Sequence, residues 1–214
     1  MTAEPTASTR VRAARARALA CVAFGLAFYV VGDIIKPGYS GVSQFISELN
    51  ASGSAWAWQM TWCGFVPLGL LLALFLLVAQ ADARVRGASR LGWWLLWSQP
   101  IAFIGVGLAP CDLGCPIGGS PMQVLHDLLG VTTYFAGALG LGLLALAPAH
   151  PRVTLAVRIF LASVGAMFIV LFVAMLVPEW AAIRGLLQRV ADALLGAALL
   201  VVAWTIVRPE GASR

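Results

Sequence analysis

The chain consists of long apolar runs separated by short polar links. Each run holds roughly 20 mostly apolar residues, the length that an α-helix needs to cross a bilayer. The links are too short for a separate soluble domain, so neighbouring helices are expected to run antiparallel in one bundle. The pattern therefore predicts an all-α, polytopic membrane protein with six spans, at residues 18–35, 56–80, 91–109, 122–148, 153–177 and 185–207.

The composition supports the same class of protein. Apolar residues make up 61% of the 214 positions and charged residues only 11%, with a mean hydropathy of +0.91. Soluble domains are about half apolar and about a quarter charged, and disordered chains have even fewer apolar residues. Both classes are therefore excluded, and the chain is expected to be an integral membrane protein.

The basic residues predict the orientation of the bundle. With the N-terminus in the cytoplasm, 11 of the 14 basic residues fall in cytoplasmic segments, which is the asymmetry of the positive-inside rule. We therefore expect a bacterial inner or plasma membrane protein with both termini cytoplasmic. A basic tail over 1–17 and a second tail over 208–214 would flank a membrane domain over 18–207. Topology accounts for the positive charge, so no nucleic-acid partner is expected.

Most acidic residues, together with His126, fall in the opposite, outer half of the bundle. Charge at membrane depth costs at least about 2.5–3.5 kcal/mol per residue, so such groups normally face the bundle interior or a water-filled cavity. We interpret Asp33, Lys36 and Glu179 as solvated helix ends. The remaining outer polar residues are the candidates for a site.

The first outer loop has an amphipathic pattern. Its apolar positions 42, 45, 46 and 49 follow the spacing of one helix face, and Ser43, Gln44, Ser47 and Glu48 occupy the other. This predicts a short helix over 43–50 at the outer interface. The helix is either a lid that only seals the bundle or part of a site. In the site, Ser43 and Ser47 would bind substrate and Glu48 would be a general acid or base.

The second outer loop contains Cys111 and Cys115 on either side of Asp112, Leu113 and Gly114. Because the outer side is oxidising, the two cysteines are predicted to form a disulfide. A metal site is less favoured, since zinc sites usually add a second cysteine pair or two histidines. We therefore expect no metal ion and no cofactor. Asp112 is a candidate acid–base group.

The fourth span begins with a capping signal. Ser120, Pro121 and Gln123 match an N-cap, a first helical residue and an amide at the third position. His126 and Asp127 follow about 8–9 Å further along the helix, below the predicted interface. They are either hydrogen-bonded structural groups or acid–base groups of a buried site, and the pattern leaves both open.

The sixth span places Arg184, Gln188, Arg189 and Asp192 on one side of its outer half. Two arginines beside one aspartate leave a surplus of positive charge there. One interpretation is an internal ion pair, with the arginines extended toward the interface. The other is that these four residues bind substrate and clamp a phosphate or carboxylate, which the planar guanidinium suits.

Five short motifs, in this order, carry a family resemblance: Gly38–Ser40, Ile46–Ala51, Pro110–Asp112, Leu125–Asp127 and Gly185–Arg189. With them the chain resembles, over nearly its whole length, a bacterial family of unknown function numbered DUF998, whose members are six-span membrane proteins. The resemblance implies the fold and no activity. The layout is more distantly similar to the eukaryotic Frag1/DRAM/Sfk1 group, several members of which are tied to lipid handling or membrane stress.

The leading hypothesis is an outward-facing polar cavity that binds or chemically modifies a lipid or isoprenoid-like amphiphile. Glu48, Asp112, His126 and Asp127 would supply acid–base chemistry, and the arginines would hold an anionic headgroup. No hydrolase nucleophile motif is visible, whereas proton-driven cyclisation of an isoprenoid needs only carboxylic acids in an apolar pocket. A structural or sensory protein without catalysis, and a small transporter, are the alternatives.

The cost of burying polar groups also predicts which residues meet. His126, Asp127, Arg189 and Asp192 all start inside apolar segments, and no local partner satisfies all four. We therefore expect the outer ends of the fourth and sixth spans to meet beneath the helix over 43–50.

Overall fold

The computed structural model describes residues 6–209 and, within them, six helices long and apolar enough to cross a membrane. They are α1 (Ala7–Ile35), α2 (Ala57–Asp82), α3 (Ala88–Leu108), α4 (Pro121–Leu144), α5 (Leu155–Leu176) and α6 (Pro178–Thr205). The predicted all-α, six-span class is confirmed. Glu4, Glu210 and Arg214 and the outermost parts of both predicted tails lie outside the described residues.

The six helices form a closed ring. Each helix packs against the next along the chain, and α6 packs against α1. Large side chains such as Phe65, Phe75 and Phe168 are buried in the interior, whereas Leu77 and Leu139 are exposed on the outside. Contiguous apolar surface of this kind suits contact with lipid rather than water.

Two of the helices are irregular. α2 contains a π-helical turn over Thr61–Phe65, and α3 is interrupted between Leu95 and Ser98. Pro100 explains the interruption, because its ring clashes with the carbonyl four residues earlier. Just after the interruption, the side chain of Gln99 enters the bundle and donates to the carbonyl of Thr133 at 3.0 Å.

Glycines let α3, α4 and α5 approach one another closely. A Cβ atom on Gly92 would lie 2.7 Å from the carbonyl oxygen of Gly140, and one on Gly165 would lie 2.6 Å from that of Ala138. Such backbone contact is the usual role of small residues between membrane helices. It fixes α4, which carries His126, against both of its neighbours.

The observed ends of three helices differ most from the predicted spans, and α6 begins at Pro178 rather than at residue 185. α1 begins at Ala7, and Arg10 donates to Asp82 at 3.1 Å, so the basic segment continues the helix along the bundle. α4 ends at Leu144, because Pro148 has no N–H to donate to the carbonyl of Leu144 and its ring would clash with that carbonyl in a continued helix. The division into two tails and a membrane domain stays a prediction.

The helix predicted over 43–50 is shorter in the structure. It is a 3₁₀ helix over Ile46–Asn50 that follows a turn. The N–H of Phe45 donates to the carboxylate of Glu48 at 2.9 Å, and the next N–H donates to the side-chain oxygen of Gln188 at 2.6 Å. The side chains of Glu48 and Gln188 therefore accept the hydrogen bonds of two N–H groups that a longer helix would have paired with its own carbonyls. Gln188 belongs to α6.

Candidate functional site

The candidate residues gather at one end of the bundle, which we call the loop end. It carries loop 1 (residues 36–56) and loop 2 (residues 109–120) and corresponds to the predicted outer side. The two loops contact each other, because the N–H of Ser52 donates to the carbonyl of Cys111 at 2.8 Å. The orientation of this end relative to the cell stays a prediction.

Lys36, the one lysine of the chain, is buried beneath loop 1. Its ammonium donates to the carbonyls of Glu48 and Leu49 at 2.6 and 2.8 Å and to the hydroxyl of Ser54 at 2.7 Å. Burial lowers the pKa of Lys36, and the charge of Glu48 partly opposes this change. The interpretation of Lys36 as a solvated helix end is therefore wrong. A compact ammonium has three donors, and here they fix the end of the 3₁₀ helix.

Glu48 is also buried, and its carboxylate holds loop 1 in place. It accepts hydrogen bonds from the N–H of Phe45 and the amide of Gln44, both at 2.9 Å, and pairs with Arg184 at 3.6 Å. Arg184 also donates to the carbonyl of Ser43 at 3.2 Å. Arg184 thus contacts both Ser43 and Glu48 and attaches loop 1 to α6.

Arg189 joins α6 to α1 at the loop end. It forms an ion pair with Asp33, and its guanidinium donates to the hydroxyl of Tyr39 at 2.9 Å. Burial raises the pKa of Tyr39 to about 12, although the contact with Arg189 opposes the rise. Asp33, which we interpreted as a solvated helix end, is therefore a paired carboxylate. Each arginine of α6 has an acidic partner from elsewhere in the chain, so the two positive charges are compensated.

Asp192 lies deeper in the bundle than the two arginines of α6. Its carboxylate accepts a hydrogen bond from the hydroxyl of Tyr29 on α1 at 2.6 Å. Gln188 lies one turn nearer the loop end and contacts the 3₁₀ helix. The polar side of α6 thus contacts both α1 and loop 1, which brings two parts of the chain that are distant in sequence to one place.

Loop 2 is held by side-chain caps. Asp112 accepts from the N–H and the hydroxyl of Ser120 at 3.0 and 2.8 Å, and these two bonds lower the pKa of Asp112. Asp127 accepts from the N–H of Gly118 at 2.9 Å and from the amide of Gln123 at 2.6 Å. Ser120 caps α4 as predicted, since its hydroxyl accepts from the N–H of Gln123 at 3.1 Å. Both candidate acid–base carboxylates are therefore bound within this part of the fold.

The fold brings His126 to the two cysteines of loop 2, a contact that no local pattern indicates. Its Nδ1 hydrogen-bonds the carbonyl oxygen of Ala109 at 2.9 Å. A ring nitrogen and the two sulfur atoms lie within 4.8 Å of one another. The sulfur atoms of Cys111 and Cys115 are at bonding distance, as the predicted disulfide requires. The hydroxyl of Ser47 lies 3.4 Å from the sulfur of Cys115.

Cavities open between these residues. A groove of about 240 Å³ between α1 and α6 runs from Cys21 to Asp33, and Arg189 and Asp192 line it near the loop end. A cavity of about 80 Å³ in the middle of the bundle is lined by Asp192 and His126. A third cavity, of about 190 Å³, lies between α4, α5 and loop 1 and is also lined by His126. The middle cavity therefore shares lining residues with both of the other spaces.

The structure thus divides the predicted site residues among neighbouring spaces. Asp127 lines the third cavity, and Gln188 and Ser47 line both the middle and the third. Arg189 and Asp192 line the groove on the other side of the bundle. None of these three cavities is lined by both Asp127 and Arg189. The described residues therefore do not form a single pocket that contains all the candidates.

Without reduction, Cys111 and Cys115 are expected to resist labelling by maleimide, because a disulfide leaves no thiol to react. The closed loop is tiny, so the bond stabilises the local shape of loop 2 more than the whole fold. The labelling is measured by mass spectrometry on a Cys21→Ser/Cys63→Ser protein, which removes the other two thiols. Two labels without reductant would contradict the prediction, and two labels after reduction are the positive control.

Comparison with known proteins supports the family that the motifs indicate. The sequence model described as "Protein of unknown function (DUF998)" matches residues 18–205. No curated protein and no solved structure matches the chain. The more distant likeness to the Frag1/DRAM/Sfk1 group stays a prediction. Because the match extends from within α1 to the end of α6 and includes both loops, the chain belongs to the DUF998 family.

Proposed function

We propose that the protein binds a membrane amphiphile in the groove between α1 and α6. The observation that carries the proposal is the distribution of charge along this groove. Its walls are apolar over most of their length, and the charged side chains, Asp33, Arg189 and Asp192, stand toward one end. A lipid or isoprenoid-like molecule has the same division into an apolar chain and a polar group.

The dimensions of the groove suit an extended chain. Along α1 it reaches from Cys21 to Asp33, about 18 Å at 1.5 Å per residue. This is more than half of the roughly 30 Å hydrocarbon core of a bilayer. Gly25 and Gly196 line the groove and place no side chain in it.

The polar end of the groove favours a group with both donors and acceptors. Arg189 is already paired with Asp33, so a simple anion would have to displace that carboxylate. The buried Nε–H of Arg189 has no hydrogen-bond partner among the described residues. This nitrogen is enclosed by protein atoms, so the polar contacts open to a headgroup are those of the Arg189–Asp33 pair and of Asp192. These contacts favour a zwitterionic or uncharged polar group over the anionic headgroup that the sequence suggested.

The hydrogen bonds that the candidate carboxylates already accept favour binding over acid–base chemistry. Glu48 is engaged by loop 1, and Asp112 and Asp127 are engaged by loop 2 and its helix. A general acid or base needs a lone pair or proton within reach of substrate, and these oxygens already accept hydrogen bonds from the fold. We therefore propose a binding protein, and chemical modification of the amphiphile stays a prediction.

Replacing Ala193 by phenylalanine is expected to reduce amphiphile retention about tenfold or more. Ala193 lines the groove and is exposed on α6, so the ring fills the groove from outside the core. Overfilling a packed space costs about 1–3 kcal/mol. The measurement is native mass spectrometry of the protein purified in mild detergent, which counts bound amphiphile per chain and gives its mass.

The matched control is Ala162→Phe, which adds the same ring at an exposed position of α5. It is expected to retain amphiphile like the wild type. Equal retention by both variants, or wild-type protein without bound amphiphile, would contradict the proposal and favour a structural role for the polar residues.

A further inference from the structure

Cys111, Cys115 and His126 have the ligand chemistry of a transition-metal site. Thiolate sulfur and imidazole nitrogen are the ligands that Zn²⁺ prefers in proteins. The two sulfur atoms and a ring nitrogen lie within 4.8 Å of one another. Cys111 and His126 are buried. None of these three residues lines the amphiphile groove.

The hydrogen bond of His126 to Ala109 leaves one ring nitrogen free to bind a metal ion. A carbonyl oxygen can only accept a hydrogen bond, so the bond to Ala109 places the proton on Nδ1 of His126. The lone pair of the neutral ring is then on Nε2. Metal-binding histidines almost always donate their other ring N–H to such a partner, which fixes the tautomer and the ring plane.

The cluster leaves one coordination position open. Cys115 and His126 both line the cavity of about 190 Å³ between α4, α5 and loop 1. The hydroxyl of Ser47 lies 3.4 Å from the sulfur of Cys115, on the same cavity. Three protein ligands with an accessible fourth position are typical of reactive zinc sites, whereas structural zinc sites have four protein ligands.

We propose that Cys111, Cys115 and His126 bind a thiophilic cation of the Zn²⁺ class when the cysteine pair is reduced, and that the disulfide is the metal-free state. Reduction requires two electrons and two protons, which a dithiol supplies as it becomes a disulfide itself. The two thiols then lose their protons as the cation binds. This inference does not depend on the amphiphile proposal, because it involves the opposite side of the bundle.

The required movement is small. Neighbouring ligand atoms of a tetrahedral zinc site lie about 3.3–3.8 Å apart, given metal–ligand distances of about 2.0–2.3 Å. The distances between the ring nitrogen and the sulfur atoms, now at most 4.8 Å, therefore have to shorten by about 1 Å. The two sulfur atoms separate once their bond is broken. The Cα atoms of Cys111 and Cys115 are 5.1 Å apart, so side-chain rotation can supply most of the change.

The test uses Co²⁺ as a spectroscopic probe for Zn²⁺. The full-length Cys21→Ser/Cys63→Ser protein is reduced with dithiothreitol, desalted without oxygen and titrated with Co²⁺. We expect one equivalent to bind with a sulfur-to-cobalt charge-transfer band, and Zn²⁺ to displace it. The oxidised protein is expected to give no such band. Absence of the band in the reduced, folded protein would overturn the proposal.

His126→Ala is expected to weaken Co²⁺ binding at least about tenfold, the loss that even a second-shell change causes in such sites. His150→Ala, which alters the other histidine of the chain, is the matched control and is expected to bind like its parent. Unchanged affinity in folded His126→Ala would refute the proposed role of the imidazole.

A second measurement does not require the His126 variant to fold. Zinc-edge X-ray absorption of the reduced parent protein is expected to show two sulfur ligands and one imidazole in the same site. A spectrum without sulfur, or one with four sulfur ligands from two chains, would overturn the proposal.

Discussion

Replacing Lys36 by methionine is expected to lower the free energy of unfolding by about 1.5–3 kcal/mol, the range for hydrogen bonds to charged groups. Methionine matches the length of lysine but donates no hydrogen bond. The change leaves the carbonyl of Leu49 without its donor and removes one of the donors to the carbonyl of Glu48. The measurement is equilibrium unfolding in mixed detergent micelles.

Ser54→Ala provides a graded control for this prediction. It removes only one of the three acceptors of Lys36, so its expected cost is about 1 kcal/mol. A Lys36→Met protein as stable as the wild type would contradict the view that the ammonium fixes loop 1.

Replacing Gly185 by alanine is expected to lower the free energy of unfolding by about 1–3 kcal/mol, the usual cost of overpacking. A Cβ atom at this position would lie 2.1 Å from the carbonyl oxygen of Gln44 and 2.7 Å from that of Gly41. Both obstacles are backbone atoms, so the clash cannot be relieved by a rotamer change. Loop 1 has to move away from α6, which also strains the contact between Gln188 and the 3₁₀ helix. Thermal unfolding in detergent measures the effect.

Gly142→Ala is the matched control, because it makes the same change within α4. No atom lies within 4 Å of the added Cβ there. Alanine is a better helix former than glycine by up to about 1 kcal/mol, so the control is expected to be neutral or stabilising. If both variants lose the same stability, the contact between loop 1 and α6 is not the cause.

The spans were predictable because each depends on local composition. Apolar runs of the required length give the six helices, and Ser120 marks the start of α4 in the sequence itself. The boundaries that differ from the prediction depend on features that an average of hydropathy over a window does not detect. α1 continues below residue 18 because its basic segment packs along the bundle through Arg10, and α4 stops early because of Pro148. Charge in a helix and a proline beyond its end are both weak signals in a hydropathy pattern.

The sequence predicted which helix faces carry the candidate residues, but not the contacts that these residues make. The side of α6 that carries Arg189 and Asp192 follows from helical spacing, whereas the partner of Arg189 is Asp33, at the far end of the sequence. His126 meets the cysteine pair only because loop 2 folds back over the start of α4. Lys36 offered one usable signal, since it is the only lysine among 13 arginines, and a compact ammonium suits three converging acceptors better than a planar guanidinium does.

The closure of the ring by α1 and α6 has a consequence for biosynthesis. The groove lies between α1 and α6, which are separated along the chain by four other helices, so it does not exist while α1 to α5 are already in the membrane and α6 is not. During that interval Asp33 lacks Arg189 and Tyr29 lacks Asp192, and both polar groups of α1 must find water or lipid headgroups. Insertion of α6 therefore supplies the partners of Asp33 and Tyr29 and completes the groove in one step, and a chain truncated after α5 would keep most of the helices but no such groove.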